Sequence, residues 1–465
     1  MSYARTRRNV FERFPPEVMS LIFETRVGMC TPETTTSCAI QLSAVCTNWC
    51  NIVRSTPQLW TTIAIRARII RATGESPVVV KEWISRSKSL LIDLYISSKR
   101  GNVYRLPQDA ENLSMLVSML AESSNKWRSV SFDIHSPFIH KLCTISQGLP
   151  HLRSMRYSSK CWRAMPPRKV GYLKWKEQFS PKELEIDFNL PSGSLSDVLN
   201  VRADKLTHLA VKHMDIKHCL DVIRLSPVLR SLKTAISGGS SHSLPIVRHS
   251  VLESFVIDSG SGFYSQVFSS LTLPRLRTLY LFYMQDSYSP IEDFIRRSSP
   301  PITSMRFWFI QDGDERDLQD FQTITALTPS ITHLDLRFMS ALDDEGNVEA
   351  NVLKYLIDSG KPKSDDPSYS PPLPQLQSLS YSATSVPIGK YLWHYWDLVP
   401  ALFPVSTCGS VEPSLRPLKA FSGIGFPMPT VKNIRRLVPF RKAGIDFGLR
   451  NVQIGHIAMD RNYTD

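Results

Sequence analysis

The residues best suited to metal chemistry are three histidines that recur every five positions, His208, His213 and His218. Imidazole nitrogens are common zinc ligands, but a site requires the three rings to converge on one point. The apolar pattern around His208 predicts a β-strand, and successive side chains of a strand point to opposite faces. We therefore interpret the three histidines as surface or capping residues and predict no metal site.

Cysteine offers a second chemistry, because Cys46 and Cys50 stand four positions apart and Cys30 and Cys38 lie upstream. Four thiolates can hold a structural zinc ion, although the spacing lacks the close pairs of a zinc ribbon or a disulfide framework. Cys46 also falls on a predicted apolar helix face with Trp49, where a free cysteine behaves as a small hydrophobic residue. We therefore predict a core cysteine rather than a metal ligand.

Clustered carboxylates complete the candidate catalytic groups, in Asp343-Asp344-Glu345 and Asp365-Asp366. Both clusters lie in predicted loops, where carboxylates are solvated. Gly260-Ser261-Gly262 lacks the third glycine of a phosphate-binding turn, and the sequence contains no zinc-protease helix motif and no nucleophile elbow. We predict no catalytic residue, no cofactor and no enzymatic activity. The alternative is an enzyme whose site is assembled only by folding.

The chain is basic, with 55 Lys and Arg against 42 Asp and Glu and a net charge of +13 over 465 residues. A polyanionic partner is one explanation. One basic segment, Arg163–Lys176, is interleaved with Trp162, Tyr172 and Trp175, a composition found on nucleic-acid-binding surfaces. A solvated loop with buried aromatic residues explains it as well. No nucleic-acid-binding motif accompanies the segment, so we favour the loop over a nucleic-acid partner.

The N-terminal residues 1–10 are basic, and we predict a disordered tail there. The apolar run of a signal peptide does not follow them. Nowhere do about 18 uncharged apolar residues stand in succession, as a membrane-spanning helix requires. We therefore expect no membrane partner and a cytoplasmic or nuclear location.

Two amphipathic helices are predicted between residues 14 and 60. Pro15 and Pro16 suit the first turn of a helix, whose N–H groups have no partner, and Glu17 suits the positive end of its dipole. Short apolar helices of this kind require another surface to cover their apolar faces. The first face carries Val18, Leu21, Ile22 and Thr25, and the second carries Ala39, Leu42, Val45, Cys46, Trp49 and Val53.

These residues resemble the two signatures of F-box domains. Phe14 to Phe23 is similar to the opening signature, Leu42 to Val53 to the second, and Ser55 to Trp60 to a closing variant of fungal F-box-like families. The chain departs from the usual pattern at Phe14, Leu21 and Thr47, and a Thr-rich insert from Thr31 to Ser37 separates the helices. We place an F-box-like helical module at residues 11–65.

The resemblance implies that this module binds a Skp-type adaptor and, through it, a cullin. The chain would then be the substrate-receptor subunit of a ubiquitin ligase, and the remaining chain would hold an unidentified protein substrate. Seven residues are expected either to dock the adaptor or to form the hairpin core beneath it: Phe14, Pro15, Val18, Ile22, Val45, Cys46 and Trp49. The sequence does not separate these two roles.

A repeated pattern, apolar-x-x-apolar-x-apolar, runs through the rest of the chain. From Leu206 its copies follow at steps of 23 to 29 residues before two longer steps, close to the roughly 20–29 residues of leucine-rich repeats. A proline often stands two residues ahead, where it ends a helix and begins an extended segment. Copies begin at Leu91, Trp127, Leu152, Leu206, Leu229, Leu252, Leu276, Ile302, Ile331, Leu376 and Leu415, the last continuing with Leu418 and Ala420, and a weaker copy begins at Leu184.

Helical spacing between the copies predicts α/β units that resemble degenerate leucine-rich repeats. The predicted helices lie around Leu116, Leu220, Ile291, Phe321 and Val352. We expect residues 76–465 to form an irregular solenoid with parallel strands on its concave face. Loops 237–243 and 360–374, rich in small and polar residues, are expected to be mobile. The alternative with the same period is a less regular α/β layer.

The concave strand face is the predicted partner-binding surface, because aromatic and arginine side chains are enriched in such surfaces. Its residues are His208, Arg277, Tyr280, Arg306, Trp308, His333, Asp335 and Arg337. A merely solvated face is the alternative. The net charge of +13 also fits another class of function, a repeat scaffold that binds protein or nucleic acid without ligase assembly.

Overall fold

The computed structural model describes residues 14–66, 77–97, 107–133, 136–158, 173–189, 195–236, 238, 244–260, 264–282, 289–310, 315–339, 348–360, 371–383, 402, 416–424, 437–438, 440–442 and 444–450. The chain divides into two compact units, Met1–Lys212 and His213–Asp465. The predicted tail at 1–10 lies outside the described residues, as do most of the predicted loop 237–243 and residues 361–370 of the loop 360–374. At the end of that second loop, Leu373 is fully buried.

The described helices and strands alternate along the chain, and the predicted mixed α/β class is confirmed. The helices predicted around Leu116, Leu220, Ile291, Phe321 and Val352 are all present. The helices are α1 (Pro16–Gly28), α2 (Pro32–Ser43), α3 (Thr47–Ser55), α4 (Pro77–Arg86), α5 (Pro107–Glu122), α6 (Ser136–Ile145), α7 (Leu195–Leu199), α8 (Ile216–Leu225), α9 (Tyr264–Ser270), α10 (Ser289–Ser298), α11 (Glu315–Leu327) and α12 (Val348–Ser359).

The strands are short, as is typical of a repeated α/β unit. They are β1 (Thr62–Arg66), β2 (Ile92–Ser97), β3 (Trp127–Asp133), β4 (Ser154–Tyr157), β5 (Glu183–Asn189), β6 (His208–Met214), β7 (Ser231–Ile236), β8 (Val247–Arg248), β9 (Ser254–Gly260), β10 (Leu271–Thr272), β11 (Thr278–Tyr280), β12 (Ser304–Ile310), β13 (His333–Met339), β14 (Ser378–Ala383), β15 (Ala420–Ile424) and β16 (Asp446–Arg450). The sequence pattern did not predict β1, β8, β10 or β16.

The N-terminal helical segment folds as α1, α2 and α3, so the prediction of two helices is wrong. The predicted second helix is interrupted at residues 44–46, where Cys46 adopts a fully extended backbone and caps α3. The Thr-rich stretch predicted as an insert between the helices is the first half of α2, which begins at Pro32. A proline at this position costs no hydrogen bond, because the first-turn N–H groups lack helical acceptors.

Threonine hydroxyls of α2 form hydrogen bonds with nearby backbone groups. The hydroxyl of Thr35 donates to the carbonyl of Thr31 at 2.9 Å. The hydroxyl of Thr36 accepts the backbone N–H of Ala64, on β1, at 2.8 Å and donates to the carbonyl of Thr62 at 3.3 Å. Because a hydroxyl so bonded can be buried without penalty, a helix rich in threonine packs against a strand here. Periodicity of apolar residues alone misses such a helix.

In the first unit, β1 to β5 are neighbouring parallel strands in chain order. Their apolar residues lie in register, and one fully buried row consists of Ile63, Leu94, Val130, Met155 and Leu184. On β2 to β5, the side chains that alternate with this row are half-buried or exposed, whereas Ala64 of β1 is buried where the strand meets α2. Each strand from β2 to β5 therefore buries one face and leaves the other open.

In the second unit, β7, β9 and β11 to β16 form a run of parallel neighbours. The buried row continues the same repeat position: Leu232, Phe255, Leu279, Met305, Leu334, Leu379 and Phe421. The two-residue strands β8 and β10 pair separately. Each repeat of the sequence consists of one strand and its connection to the next, and it adds one residue to this buried row. The row therefore explains the period of the sequence pattern.

The recurring prolines occupy tight turns just before the strands. The backbone N–H of Leu229 donates to the carbonyl of Ser226 at 3.0 Å across Pro227. Proline is favoured at the second position of a four-residue turn because its φ is already set there. The same hydrogen bond, from a backbone N–H to the carbonyl three residues earlier, is formed by Leu152, Leu276, Ile331 and Leu376.

The last predicted copy is displaced. Leu379 pairs with Phe421, and Tyr381 pairs with Gly423, so the structural copy is Leu418, Phe421 and Gly423. The predicted copy, which began three residues earlier, is therefore wrong for this strand. Its leading residue, Leu415, lies outside the described residues.

Candidate functional site

The helical segment carries an exposed apolar surface, the apolar face of α1, formed by Val18, Leu21 and Ile22. These positions are three and four residues apart and so lie on one side of the helix. The side chain of Val18 is 40% exposed and that of Leu21 is 64% exposed. The opposite side of α1 is buried through Met19, Phe23 and Val27. The face that the sequence pattern identifies is thus left open, and other residues form the core.

The turn between α2 and α3 exposes two more of the predicted residues. Val45 is 59% exposed, and Cys46 is exposed too, so the prediction of a core cysteine at position 46 is wrong. Both residues lie where the predicted helix is interrupted, and the backbone of Cys46 is extended there. Phe14 and Pro15 are exposed as well, whereas Trp49 is half-buried and packs on Phe23 with ring centroids 4.8 Å apart.

Buried contacts behind this surface hold the three helices in place. The indole N–H of Trp60 donates to the carbonyl of Val53 at 2.9 Å. The guanidinium of Arg86 lies over the Trp60 ring, 4.6 Å from its centroid. The hydroxyls of Ser20 and Thr56 are 3.0 Å apart and tie α1 to the end of α3. The exposed apolar side chains therefore sit on a packed support.

A cavity of about 290 Å³ lies beside these helices, lined by residues that include Glu24, Cys30, Thr35 and Tyr95. Burial raises the pKa of the Cys38 thiol, and a hydrogen bond with Cys30 raises it further. A raised thiol pKa disfavours the thiolate, which is the reactive form. Glu24 is the one carboxylate among the described residues that line the cavity, so these residues do not form a carboxylate pair.

The second unit carries a different surface on the open face of its sheet. We call it the arginine cluster: Tyr280, Phe282, Arg306, Trp308, Asp335 and Arg337. Tyr280, Arg306 and Asp335 are register partners across β11, β12 and β13, and Trp308 and Arg337 are partners two residues further along. Five of the eight predicted partner-binding residues thus come together on one side of three neighbouring strands.

Stacking and ion pairs organise the arginine cluster. The Arg306 guanidinium lies 4.2 Å from the centroid of the Tyr280 ring, and its Nε donates to Asp335 Oδ2 at 2.5 Å. The Arg337 guanidinium lies 5.2 Å from the centroid of the Trp308 ring. Its Nε is 3.4 Å from the same Asp335 oxygen, which is longer than a normal hydrogen bond. One carboxylate therefore serves two arginines, and it bonds Arg306 much more closely.

The remaining members fix the aromatic part of the cluster. Phe282 packs on Trp308 with ring centroids 4.2 Å apart. The indole N–H of Trp308 is buried and has no acceptor among the described residues. Phe282 was missed in the sequence, although it stands two residues after Tyr280 and so continues the outward alternation of the strand.

The other predicted partner-binding residues lie apart from these contacts. His333 is exposed and its Nδ1 is 2.7 Å from the hydroxyl of its neighbour Thr332. Arg277 is exposed just before β11. His208 belongs to the first unit and contacts the hydroxyl of Thr207.

Small polar side chains flank the arginine cluster on β14 and β15. Ser380 is the register partner of Asp335, and Ser382 is the partner of Arg337. The hydroxyls of Ser380 and Ser422 are 2.7 Å apart. The open face therefore changes from large aromatic and arginine side chains to serine within one strand spacing.

The first unit has a contrasting arginine on its own strands. Arg128 donates to both oxygens of Asp93, at 2.9 and 2.5 Å. This hydrogen bonding raises the pKa of Arg128. Arg128 thus has a carboxylate of its own, whereas Arg337 shares Asp335 with Arg306.

The three histidines lie within the described residues, whereas the basic segment is only partly covered by them. Asp215 caps α8: its Oδ1 accepts the backbone N–H of His218 at 2.7 Å, and its Oδ2 lies 2.7 Å from Nδ1 of the His218 ring. Within the described ranges, no three metal-ligating side chains come together. Residues 163–172 lie outside those ranges, as do Trp162 and Tyr172. Trp175 is fully buried and donates to the Tyr157 hydroxyl at 2.8 Å, so it offers no surface for stacking a base.

None of the described helices combines the length and the apolar character that a membrane span needs. Comparison with protein-family models gives no match for this chain. Comparison with curated proteins likewise finds no match.

Proposed function

We propose that the chain is the substrate-receptor subunit of a Skp–cullin–F-box type ubiquitin ligase. In this proposal residues 11–65 are an F-box-like module that binds a Skp-type adaptor, and through it a cullin. Residues 76–465 are a leucine-rich-repeat-like solenoid that holds a protein substrate on a concave face of parallel strands. The observation that carries the proposal is the apolar face of α1, which is exposed although it bears the signature residues.

Exposed apolar side chains concentrated on one rigid element favour a protein partner over solvent. Isolated exposed apolar residues are ordinary, but grouped ones mark interaction sites. Val18, Leu21 and Ile22 are grouped on one helix side, and Val45 and Cys46 lie exposed in the same small module. Covering such a side chain completely contributes about 1.5–3 kcal/mol, of which the part still exposed is available to a partner. These residues therefore act in docking, and Trp49 in the support beneath.

A matched pair of valines tests the adaptor surface. Val18 is 40% exposed and Val228, in the second unit, is 41% exposed. With the full chain and a purified Skp-type adaptor, we expect Val18→Glu to weaken binding at least about tenfold, because a charge would be buried against apolar surface. Val228→Glu should leave the dissociation constant unchanged. Isothermal titration calorimetry measures both.

Maleimide labelling of Cys46 provides a second readout in the same experiment. The thiol is exposed in the free chain and should be protected when the adaptor is bound. An adaptor that does not bind the wild-type chain, or binds Val18→Glu as tightly as wild type, would contradict the proposal.

The net charge of +13 favours a second candidate, a repeat scaffold that binds protein or nucleic acid without ligase assembly. A chain that fails to bind the adaptor but is retained on a polyanion in a salt-sensitive manner would support the scaffold.

A further inference from the structure

We propose that the arginine cluster of the second unit binds an acidic peptide segment, with a carboxylate of the peptide accepting hydrogen bonds from Arg337. The inference deepens the proposed function by naming a substrate class, and it rests on that proposal only for the role of the strand face in holding substrate. The occupant is an extended peptide with an Asp or Glu beside an apolar residue.

The geometry leaves Arg337 able to donate hydrogen bonds to a carboxylate. Its guanidinium is stacked over Trp308 and its side chain is 29% exposed. Its contact to Asp335 is long and uses Nε, and no described residue accepts a hydrogen bond from its terminal amino groups. A stacked guanidinium presents its N–H groups in a fixed plane, which matches the two oxygens of a carboxylate. The ring of Trp308 thus orients an arginine that still has donors to offer.

The charges in the cluster fit one negative charge. Arg306, Arg337 and Asp335 together leave an excess of one positive charge. Two other cations of the same unit have carboxylate partners of their own: Arg230 Nη1 lies 3.1 Å from Glu253 Oε1, and Lys233 Nζ lies 2.8 Å from Asp258 Oδ2. A carboxylate, which carries one negative charge, therefore completes the cluster.

The same balance disfavours a phosphate. A phosphate group carries close to two negative charges, and Asp335 already occupies the closest donor of Arg306 and would repel it. Nucleic acid is disfavoured for another reason. The ring of Trp308 is covered by Arg337 and by Phe282, so it cannot take a stacked base. The half-buried Tyr280 and Phe282 instead suit aliphatic or aromatic side chains of a peptide.

The serines next to the cluster supply the remaining surface. Ser380 and Ser422 are half-buried short side chains on β14 and β15, the two strands that follow β13 in the sheet. An extended peptide lying across the strands would pass from the aromatic rings over Arg337 to these serines. Their hydroxyls donate and accept hydrogen bonds, so the backbone of such a peptide can be satisfied there.

The test is a selection of random 12-residue peptides displayed on phage, using the full chain without adaptor. We expect retained peptides to be enriched in Asp or Glu next to an aromatic or aliphatic residue. A synthetic peptide of the selected sequence, labelled with fluorescein, is then titrated with wild-type chain, Arg337→Gln and Arg230→Gln. Arg337→Gln should weaken binding at least about tenfold, since a charged hydrogen-bonded pair is lost. Arg230→Gln removes the same charge from the same unit and should change binding less than about twofold.

Three further comparisons sharpen the result. Arg337→Lys keeps the charge but loses the planar fork, and it should remain several-fold weaker than wild type. The peptide with Gln or Asn in place of its acidic residues should bind as weakly as wild-type peptide binds Arg337→Gln. Equal melting temperatures of the variants show that they are folded.

Several outcomes would overturn the inference. They are no retained peptide, no enrichment of acidic residues, equal losses for Arg337→Gln and Arg230→Gln, tighter binding of a phosphoserine version, or displacement by an equal concentration of a 12-nucleotide oligothymidylate. Because the adaptor is absent, failure here leaves adaptor docking standing. Failure of adaptor docking would in turn leave a positive peptide result standing.

Discussion

Tyr264, at the start of α9, places a phenol hydroxyl in the interior without a hydrogen-bond partner among the described residues. An unsatisfied buried hydroxyl costs about 1–3 kcal/mol, so Tyr264→Phe should raise the free energy of unfolding, by up to about 1 kcal/mol after packing losses. Burial, and secondly the charge of Asp258, raises the pKa of Tyr264. In the unfolded chain the phenol ionises near its ordinary pKa of 10.0. Ionisation therefore does not affect the free energy of unfolding below pH 10, and it lowers that free energy as the pH rises further.

Chemical denaturation at pH 8 and pH 11 checks both statements. The stability advantage of Tyr264→Phe over wild type should grow between the two pH values. Tyr157→Phe is the matched control, because Tyr157 accepts the buried indole N–H of Trp175 at 2.8 Å. That variant leaves a donor unsatisfied and should lose about 1–3 kcal/mol. A destabilised Tyr264→Phe would contradict the argument.

Residue types and spacing show which side chains share a helix face but not which face is covered. Val18, Leu21 and Ile22 were correctly grouped, yet Met19 and Phe23 form the core of α1. Both sides of this helix are apolar, and only the packing of α2 and α3 decides between them. Cys46 was misplaced because its spacing to Leu42 and Trp49 is that of a continuous helix, whereas the backbone breaks at residues 44–46.

At the scale of elements, one buried arginine holds α12 against the turn that precedes β14. Arg416 donates to the carbonyl of Leu356 at 2.5 Å, to the hydroxyl of Ser359 at 2.7 Å and to the carbonyl of Pro372 at 3.0 Å. Leu356 and Ser359 lie at the end of the helix, where carbonyls have no helical partner, whereas Pro372 lies in the turn before β14. The side chain therefore replaces the missing hydrogen bonds of two elements at once.

Removing that guanidinium should destabilise the second unit. Arg416→Met keeps the length of the side chain but leaves buried carbonyls without donors, and we expect a loss of about 3 kcal/mol. Thermal unfolding followed by circular dichroism measures it. Arg441→Met, at an exposed position of the same unit, should change stability by less than about 0.5 kcal/mol. A loss below about 1 kcal/mol for Arg416→Met would show that water replaces the guanidinium.

Strand elements were more predictable than their ends. The apolar pattern correctly placed the rows through Leu232, Phe255 and Leu279, because parallel register repeats one buried position in every unit. Around Pro413 and Pro417 the proline signal is ambiguous, since either proline can precede a strand. Only pairing of Leu379 with Phe421 decides the register there. The short strands β8 and β10 have too few residues to show any alternation.

At the scale of the molecule, the arginine cluster is assembled from residues on three strands that are far apart in sequence. Outward positions could be predicted from strand alternation, and five of the eight nominated residues do meet. The pairing of two arginines with one carboxylate could not be predicted, because it depends on the rotamers of Arg306 and Arg337 around Asp335. The unmatched charge is therefore visible only in the folded chain.

The net charge of +13 is a property of the whole chain, so a polyanion should respond to the summed charge and not to one particular arginine. We expect salt-sensitive retention on heparin, a sulfated polyanion, because exposed charges are screened as ionic strength rises. Arg337→Gln and Arg230→Gln each remove one of 55 basic residues, so both should elute at slightly lower salt than wild type, and by the same amount. The acidic peptide, by contrast, should distinguish the two variants. A much earlier elution of Arg337→Gln alone would mean that heparin binds at the arginine cluster, and the peptide would then be the wrong occupant.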